Sequence, residues 1–192
     1  MKLIRAKDYA DVSVKAGNII ASVVTLKPDC VLGLATGSSP VGTYKELIKK
    51  YEAGELDFSK VKTVNLDEYV GLSKDHDQSY AYFMRHNLFD HVNIDQANCN
   101  IPSGLTEDPE AECGNYDKLI GELHTDLQLL GMGPTATSAS TSPMKFSSPA
   151  PTASSWLSPP STLTSVSSQA VTMFPARHTP WASGASCRLR RS

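Results

Sequence analysis

Apolar positions in the first two thirds of the chain recur with two alternating periods. Val12, Ala16, Ile19, Ile20 and Val23 fall three or four residues apart, which predicts a helix over Asp8–Lys27. Lys27-Pro28-Asp29 stops it. Cys30–Ala35 is a short, unbroken apolar run and reads as a strand. A second helix is predicted from Pro40 to about Ala53, with Val41, Tyr44, Leu47, Ile48 and Tyr51 on its buried face, Lys45, Lys49 and Lys50 in water, and Gly54 as its end. Lys60–Leu66 is a second strand by its β-branched content. Gln78–Phe89 returns to helical spacing through Tyr80, Phe83, Met84 and Leu88. After a loop through Pro102-Ser103-Gly104, Asp108-Pro109 opens a helix carrying Tyr116, Leu119, Ile120 and Leu123. Asp126–Gly133 is a third strand that ends in a glycine turn. Strand alternating with helix argues for a parallel α/β sheet.

The pattern then stops. All 20 acidic residues lie at or before Asp126, and from Pro134 onward 39 of 59 residues are Ser, Thr, Pro or Ala. The chain is therefore read as two kinds of sequence, 1–133 and 134–192. Averaged over its 192 residues it is 40% hydrophobic with a net charge of −2, so no basic surplus suggests nucleic acid. No apolar run approaches a membrane span. Met1-Lys2-Leu3-Ile4-Arg5 soon meets Asp8 and Asp11, unlike a signal peptide. Cys30, Cys99, Cys113 and Cys187 show no CxxC pair and no metal-ligand spacing. A reduced, cytoplasmic compartment is expected, with the cysteines acting as small buried hydrophobes.

Two stretches carry candidate chemistry. Thr36-Gly37-Ser38-Ser39 lies between the first strand and the second helix, where backbone N–H groups and the helix dipole favour an anion. Gly37 permits positive φ and close approach, Ser38 and Ser39 add donors, and Pro40 suits the first helical position. The stretch reads as a cradle for the phosphate of a small molecule; an ordinary turn capped by serine has the same residues. Asp67 and Glu68 follow the second strand, at the edge of a parallel sheet where ligands bind. A polar exit from the strand is the plainer reading there. His76, His86 and His91 have no metal-site spacing and read as surface or capping residues.

Leu34–Ile48 (LATGSSPVGTYKELI), Asn65–Leu72 (NLDEYVGL), Gln78–Val92 (QSYAYFMRHNLFDHV) and Asp126–Gly133 (DLQLLGMG) together resemble the glucosamine-6-phosphate deaminase family, over residues 1 to about 134. The resemblance implies a Rossmann-like parallel sheet with flanking helices. It implies an aldose–ketose isomerase/deaminase, classed as a hydrolase, that converts glucosamine 6-phosphate to fructose 6-phosphate and ammonia without metal or other cofactor. A homo-oligomer is open for intact members; nucleic acid and membrane are not expected partners. Gly37-Ser38-Ser39 matches part of the family's phosphate site, with Ser39 where threonine is common. Asp67 matches the proton acceptor that moves a proton between C2 and C1, and partial burial near the sheet edge would raise its pKa toward a useful value. Glu68 either assists by hydrogen bonding or caps the next turn. Two further readings stand beside the deaminase. One is a non-catalytic sugar-phosphate binding protein; the other is a lactone hydrolase like 6-phosphogluconolactonase, against which the run Asn65–Tyr69 speaks.

The family's next block reads Gly-His-Ile-Gly-Phe-Asn-Glu-Pro and supplies the histidine and acidic groups that open the sugar ring. Here Thr137 stands where the histidine belongs and Ser142 where the glutamate belongs. One missing base in the codon after Pro134 accounts for this. Codons for Thr135–Pro143 exist that read Asn-Gly-His-Ile-Gly-Phe-Asn-Glu-Pro in the neighbouring frame. The same shift decodes Thr164–Cys187 into a family-like run, and Met173 and Trp181, with one codon each, both fit. The last two bases of each restored codon are fixed by the printed residue, so a long match is hard to reach by chance. A native Ser/Pro-rich tail is the alternative. On the shifted reading, 1–133 is an incomplete α/β domain, 134–192 is mostly coil, and apolar faces of the first part lose their cover. The chain is then expected to fold poorly and to lack turnover.

Overall fold

The computed structural model describes residues 4–132, 170–175 and 187–191. The sheet at its centre has the order β4-β2-β1-β5-β6. Its elements are β1 (Val31–Leu34), β2 (Lys62–Asn65), β4 (Cys99–Asn100), β5 (Leu127–Met132) and β6 (Ala170–Pro175). Four of the strands run parallel, and β6 closes one edge antiparallel to β5 with Leu127 opposite Pro175. The helices are α1 (Tyr9–Leu26), α2 (Val41–Glu52), α3 (Tyr80–Asn87) and α4 (Pro109–Leu123). The expected parallel α/β fold with flanking helices is what forms.

Local chemistry sets the helix bounds. Asp8 caps α1 by accepting the Asp11 amide, Ser79 caps α3 by accepting the Tyr82 amide, and Asp108 caps α4 ahead of Pro109. Pro40 sits one place outside α2, as its N-cap, rather than in the first turn. Gly54, with φ 74°, follows α2. Ile20, Val24, Leu32, Leu34, Tyr44, Leu47, Val61, Met84 and Leu129 make the core between helices and sheet. α1 and α2 approach unusually closely because two glycines remove side chains from the contact. A Cβ on Gly42 would meet Ser13 Oγ at 2.2 Å, and one on Gly17 would meet Glu46 Cβ at 3.0 Å.

Three features differ from the sequence reading. The two-residue strand β4 was not expected; it is too short for a period to register. Asp67 and Glu68, read as following directly on the second strand, belong to a separate strand, β3 (Asp67–Val70), after a break at Leu66. Its partner is β7 (Arg188–Arg191), running parallel in a two-stranded sheet with Asp67 opposite Arg188. β6 and β7 are short strands in a segment expected to be mostly coil, most of which lies outside the described residues. The substituted block at 134–143 lies outside the described residues, as do Lys145, Arg177 and Trp181.

Candidate active site

The phosphate-loop candidates sit where β1 hands over to α2. Ala35 leaves the sheet, and the buried Tyr44 hydroxyl binds both of its backbone groups, donating to the carbonyl and accepting the amide. That clasp fixes where the loop begins. Gly37 has φ 98° and nothing within 4 Å of a Cβ position, so it supplies the turn that a side chain would strain. Gly37 and Ser38 are exposed, whereas Thr36 and Ser39 are half-buried. Ser39 packs over Gly131, where an added Cβ would lie 3.3 Å from Ser39 Cβ, so the loop rests against the end of β5. Pro40, the N-cap of α2, offers no side-chain hydrogen bond to the first turn of the helix.

Tyr9, which the sequence reading did not single out, pins this turn from α1. Its hydroxyl donates to Ser38 O at 3.1 Å and accepts the Gly42 amide at 2.8 Å. An aromatic residue just inside a helix cap is not by itself a signal for this role. The packing of α1 against α2 creates it.

Asp67 and Glu68 point to opposite faces of β3, as neighbours on a strand must. Asp67 keeps partial exposure, with 19% of its side-chain surface accessible, and pairs with Arg190 Nη2 at 3.0 Å. Glu68 is 2% exposed. Its Oε1 accepts the amides of Tyr69 (2.8 Å) and Tyr80 (2.9 Å), and its Oε2 accepts the amide of Ala81 (3.0 Å). Two of these donors belong to the first turn of α3, so the carboxylate satisfies the open end of that helix. Of the two roles left open for Glu68, capping is the one its hydrogen bonds perform.

The two candidate clusters share one edge of the sheet. β1 and β2 are adjacent and parallel, with Leu34 opposite Asn65, so the Thr36–Ser39 loop and Asp67 both emerge at carboxyl ends. Asn65 ties those ends together by donating from Nδ2 to Leu34 O at 3.1 Å. Its Oδ1 is buried and has no partner among the described residues. Beside Asp67, the rings of Tyr69 and Tyr80 lie 4.9 Å apart, and the Tyr80 hydroxyl donates to that of Tyr69. Burial, and then the bond to Tyr69, push the Tyr80 hydroxyl up to about 12, so it remains protonated near neutrality.

His76, His86 and His91 are exposed, and no His, Cys, Asp and Glu residues cluster as metal ligands among the described residues. His76 Nδ1 accepts the Gln78 amide and His91 meets the His86 carbonyl, which are local turn contacts. No helix among the described residues is long and apolar enough to cross a membrane. Cys30 is buried, and burial raises its thiol to about 11; Cys113 and Cys187, in contrast, face each other.

Comparison with known proteins places this edge in context. A family model described as glucosamine-6-phosphate isomerases/6-phosphogluconolactonase matches residues 9–165. Glucosamine-6-phosphate deaminases of Lachnoclostridium phytofermentans and Clostridium perfringens are 60% and 58% identical over 134 residues, which is 69% of this chain. The chain spans 57% and 55% of those relatives' own lengths. A solved monomeric glucosamine-6-phosphate deaminase superposes with a TM-score of 0.69 at 42% identity, covering 72% of this chain and 58% of that one. The 6-phosphogluconolactonase of Thermotoga maritima, at 22% identity and a TM-score of 0.58, shares the fold. Because that family model covers 9–165 of the 192 residues, the chain belongs to the glucosamine-6-phosphate isomerase/6-phosphogluconolactonase family.

Proposed function

We propose that residues 1–133 are the first part of a glucosamine-6-phosphate deaminase, and that this chain is without turnover because its ring-opening block is read out of frame. One observation carries the site: the Thr36–Ser39 loop and Asp67 leave the same carboxyl edge of adjacent parallel strands. Loop amides, the hydroxyls of Ser38 and Ser39 and the start of α2 hold the substrate phosphate. Asp67 takes the proton from C2 of the open-chain sugar and returns it at C1, the general-base step of an aldose–ketose conversion. Glu68 acts as a positioning residue, since its oxygens are already engaged by backbone amides. Tyr9 positions the phosphate loop.

The reaction also needs a group that opens the ring, and Thr137 and Ser142 cannot relay a proton near neutral pH. Arg190 adds a second obstacle, because it engages the Asp67 carboxylate that the substrate requires. The identity to the curated deaminases runs over 134 residues, a length that supports a change of sequence near Pro134, while the family model reaches residue 165.

The test is ammonia release from glucosamine 6-phosphate by two proteins. One is the 192-residue chain and the other is the product of the gene with one base restored after the Pro134 codon. The restored protein is expected to turn over and its D67N variant to lose activity by at least about 100-fold, the usual weight of a general base. Turnover by the 192-residue chain overturns the inactivity. An active D67N variant of the restored protein removes Asp67 from its role.

A further inference from the structure

The four cysteines do not behave alike. Cys113 lies on α4 and Cys187 immediately precedes β7, 74 positions apart in the chain, yet their Sγ atoms are 2.7 Å apart. Both are free thiols. That separation is only about 0.7 Å longer than a disulfide bond.

The approach is held from several directions. The Cys187 amide donates to Asp117 Oδ1 at 2.7 Å, so the residue is anchored to α4 one turn beyond Cys113. The next amide, of Arg188, donates to Leu66 O at 2.7 Å and starts the pairing of β7 with β3. Arg190 then reaches Asp67. The backbone of Cys187 and Arg188 is thus held before any covalent link forms, and little ordering of these two residues remains to be done when one does.

We propose that Cys113 and Cys187 are a redox-sensitive pair, and that a small disulfide oxidant such as oxidised glutathione converts them to a disulfide that ties the start of β7 to α4. Cys113 is half-exposed, whereas Cys187 is 7% exposed. Cys113 therefore meets the oxidant first. Its thiolate attacks one sulfur of the glutathione disulfide, forming a mixed disulfide and releasing one glutathione thiolate. Cys187 gives up its proton to solvent, attacks the Cys113 sulfur and expels the second glutathione. Two protein thiols become one disulfide and one glutathione disulfide becomes two thiols. Burial, the largest cause, raises the pKa of Cys187, so the second step is the slow one. The bond would add a covalent tie three residues before Arg190, which already meets Asp67 in the thiol form.

The experiment incubates the full chain with oxidised glutathione in buffer, quenches with an alkylating agent, counts thiols under denaturing conditions and maps the linked peptides. The expected result is a fall from four thiols to two, with one peptide pair joining Cys113 and Cys187 and full reversal by dithiothreitol. C113S and C187S variants are expected to form no internal bridge, and C30S and C99S to form the same bridge as the parent. Four thiols after oxidation, a stable glutathione adduct without a bridge, or a bridge to Cys30 or Cys99 overturns the proposal. Because the readout is made on the parent chain, it stands even if a serine variant fails to fold.

Discussion

Glu68 offers the sharpest test of how this edge is built. Changing it to glutamine keeps its size but replaces one oxygen with a donor. In E68Q, one of the amides of Tyr69, Tyr80 and Ala81 faces an NH2 group instead of an oxygen. A buried donor left without its acceptor costs about 1–3 kcal/mol. Loss of the negative charge at the start of α3 removes about 0.3–1 kcal/mol more. Glutamine avoids the cost of burying a charge, which offsets part of the loss, so a net destabilisation of about 2 kcal/mol is expected. With a urea slope of about 2 kcal/mol per M, the unfolding midpoint should fall by about 1 M. E68A, which leaves all three amides without an acceptor, should fall further. The assay is urea unfolding followed by far-UV circular dichroism, on the parent and both variants. Midpoints unchanged within about 0.2 M would mean that the Glu68 bonds to α3 do not stabilise the fold, and the positioning role assigned to it would fail.

Three other outcomes follow from the same geometry. G42A should lower thermal stability by about 1–3 kcal/mol, because a Cβ there meets Ser13 Cβ at 2.9 Å as well as its Oγ, and S13A should not restore it fully; a melt equal to the parent's contradicts the close approach of α1 and α2. In the frame-restored protein, Y9F should raise KM for the sugar phosphate more than it lowers kcat, since it loosens the Ser38 and Gly42 contacts without touching Asp67; a pure kcat loss would be contrary. Asp57 is held below its ordinary value of 3.8 by the Ser59 amide and then the Asn93 side chain, so its contribution is complete above that pH and is lost as pH falls through the lowered value; D57N should flatten the decline of stability below pH 4, and an unchanged acid profile argues against it.

Much of this was legible because it is local. Of the stripe Val12, Ala16, Ile19, Ile20 and Val23, Ala16 and Ile20 are buried and the other three half-buried, and Asp108-Pro109 starts α4 where capping chemistry says it should. The Thr36–Ser39 turn was visible because its glycine and hydroxyls sit between a strand and a helix. Other features depend on long-range pairing and left no periodic trace. β4 exists as two residues because Thr63 and Val64 present a ladder to Cys99 and Asn100. Tyr9 acquires its role only when Gly42 lets the helices close. The different surroundings of Asp67 and Glu68 follow from strand alternation and the position of α3, which the residue types alone did not decide. The arginines of the tail formed no motif in the sequence, yet Arg190 meets Asp67 from 123 positions away through β3–β7 pairing.

The tail decides whether the first 133 residues are part of a working enzyme, and the coding DNA reads it most directly. Sequencing through the codon after Pro134 should show that one added base opens a continuous frame encoding Asn-Gly-His-Ile-Gly-Phe-Asn-Glu-Pro and the family-like run beyond it. A neighbouring frame that is interrupted by stop codons, or that encodes no such block, would contradict the slipped-frame origin of the serine-rich segment.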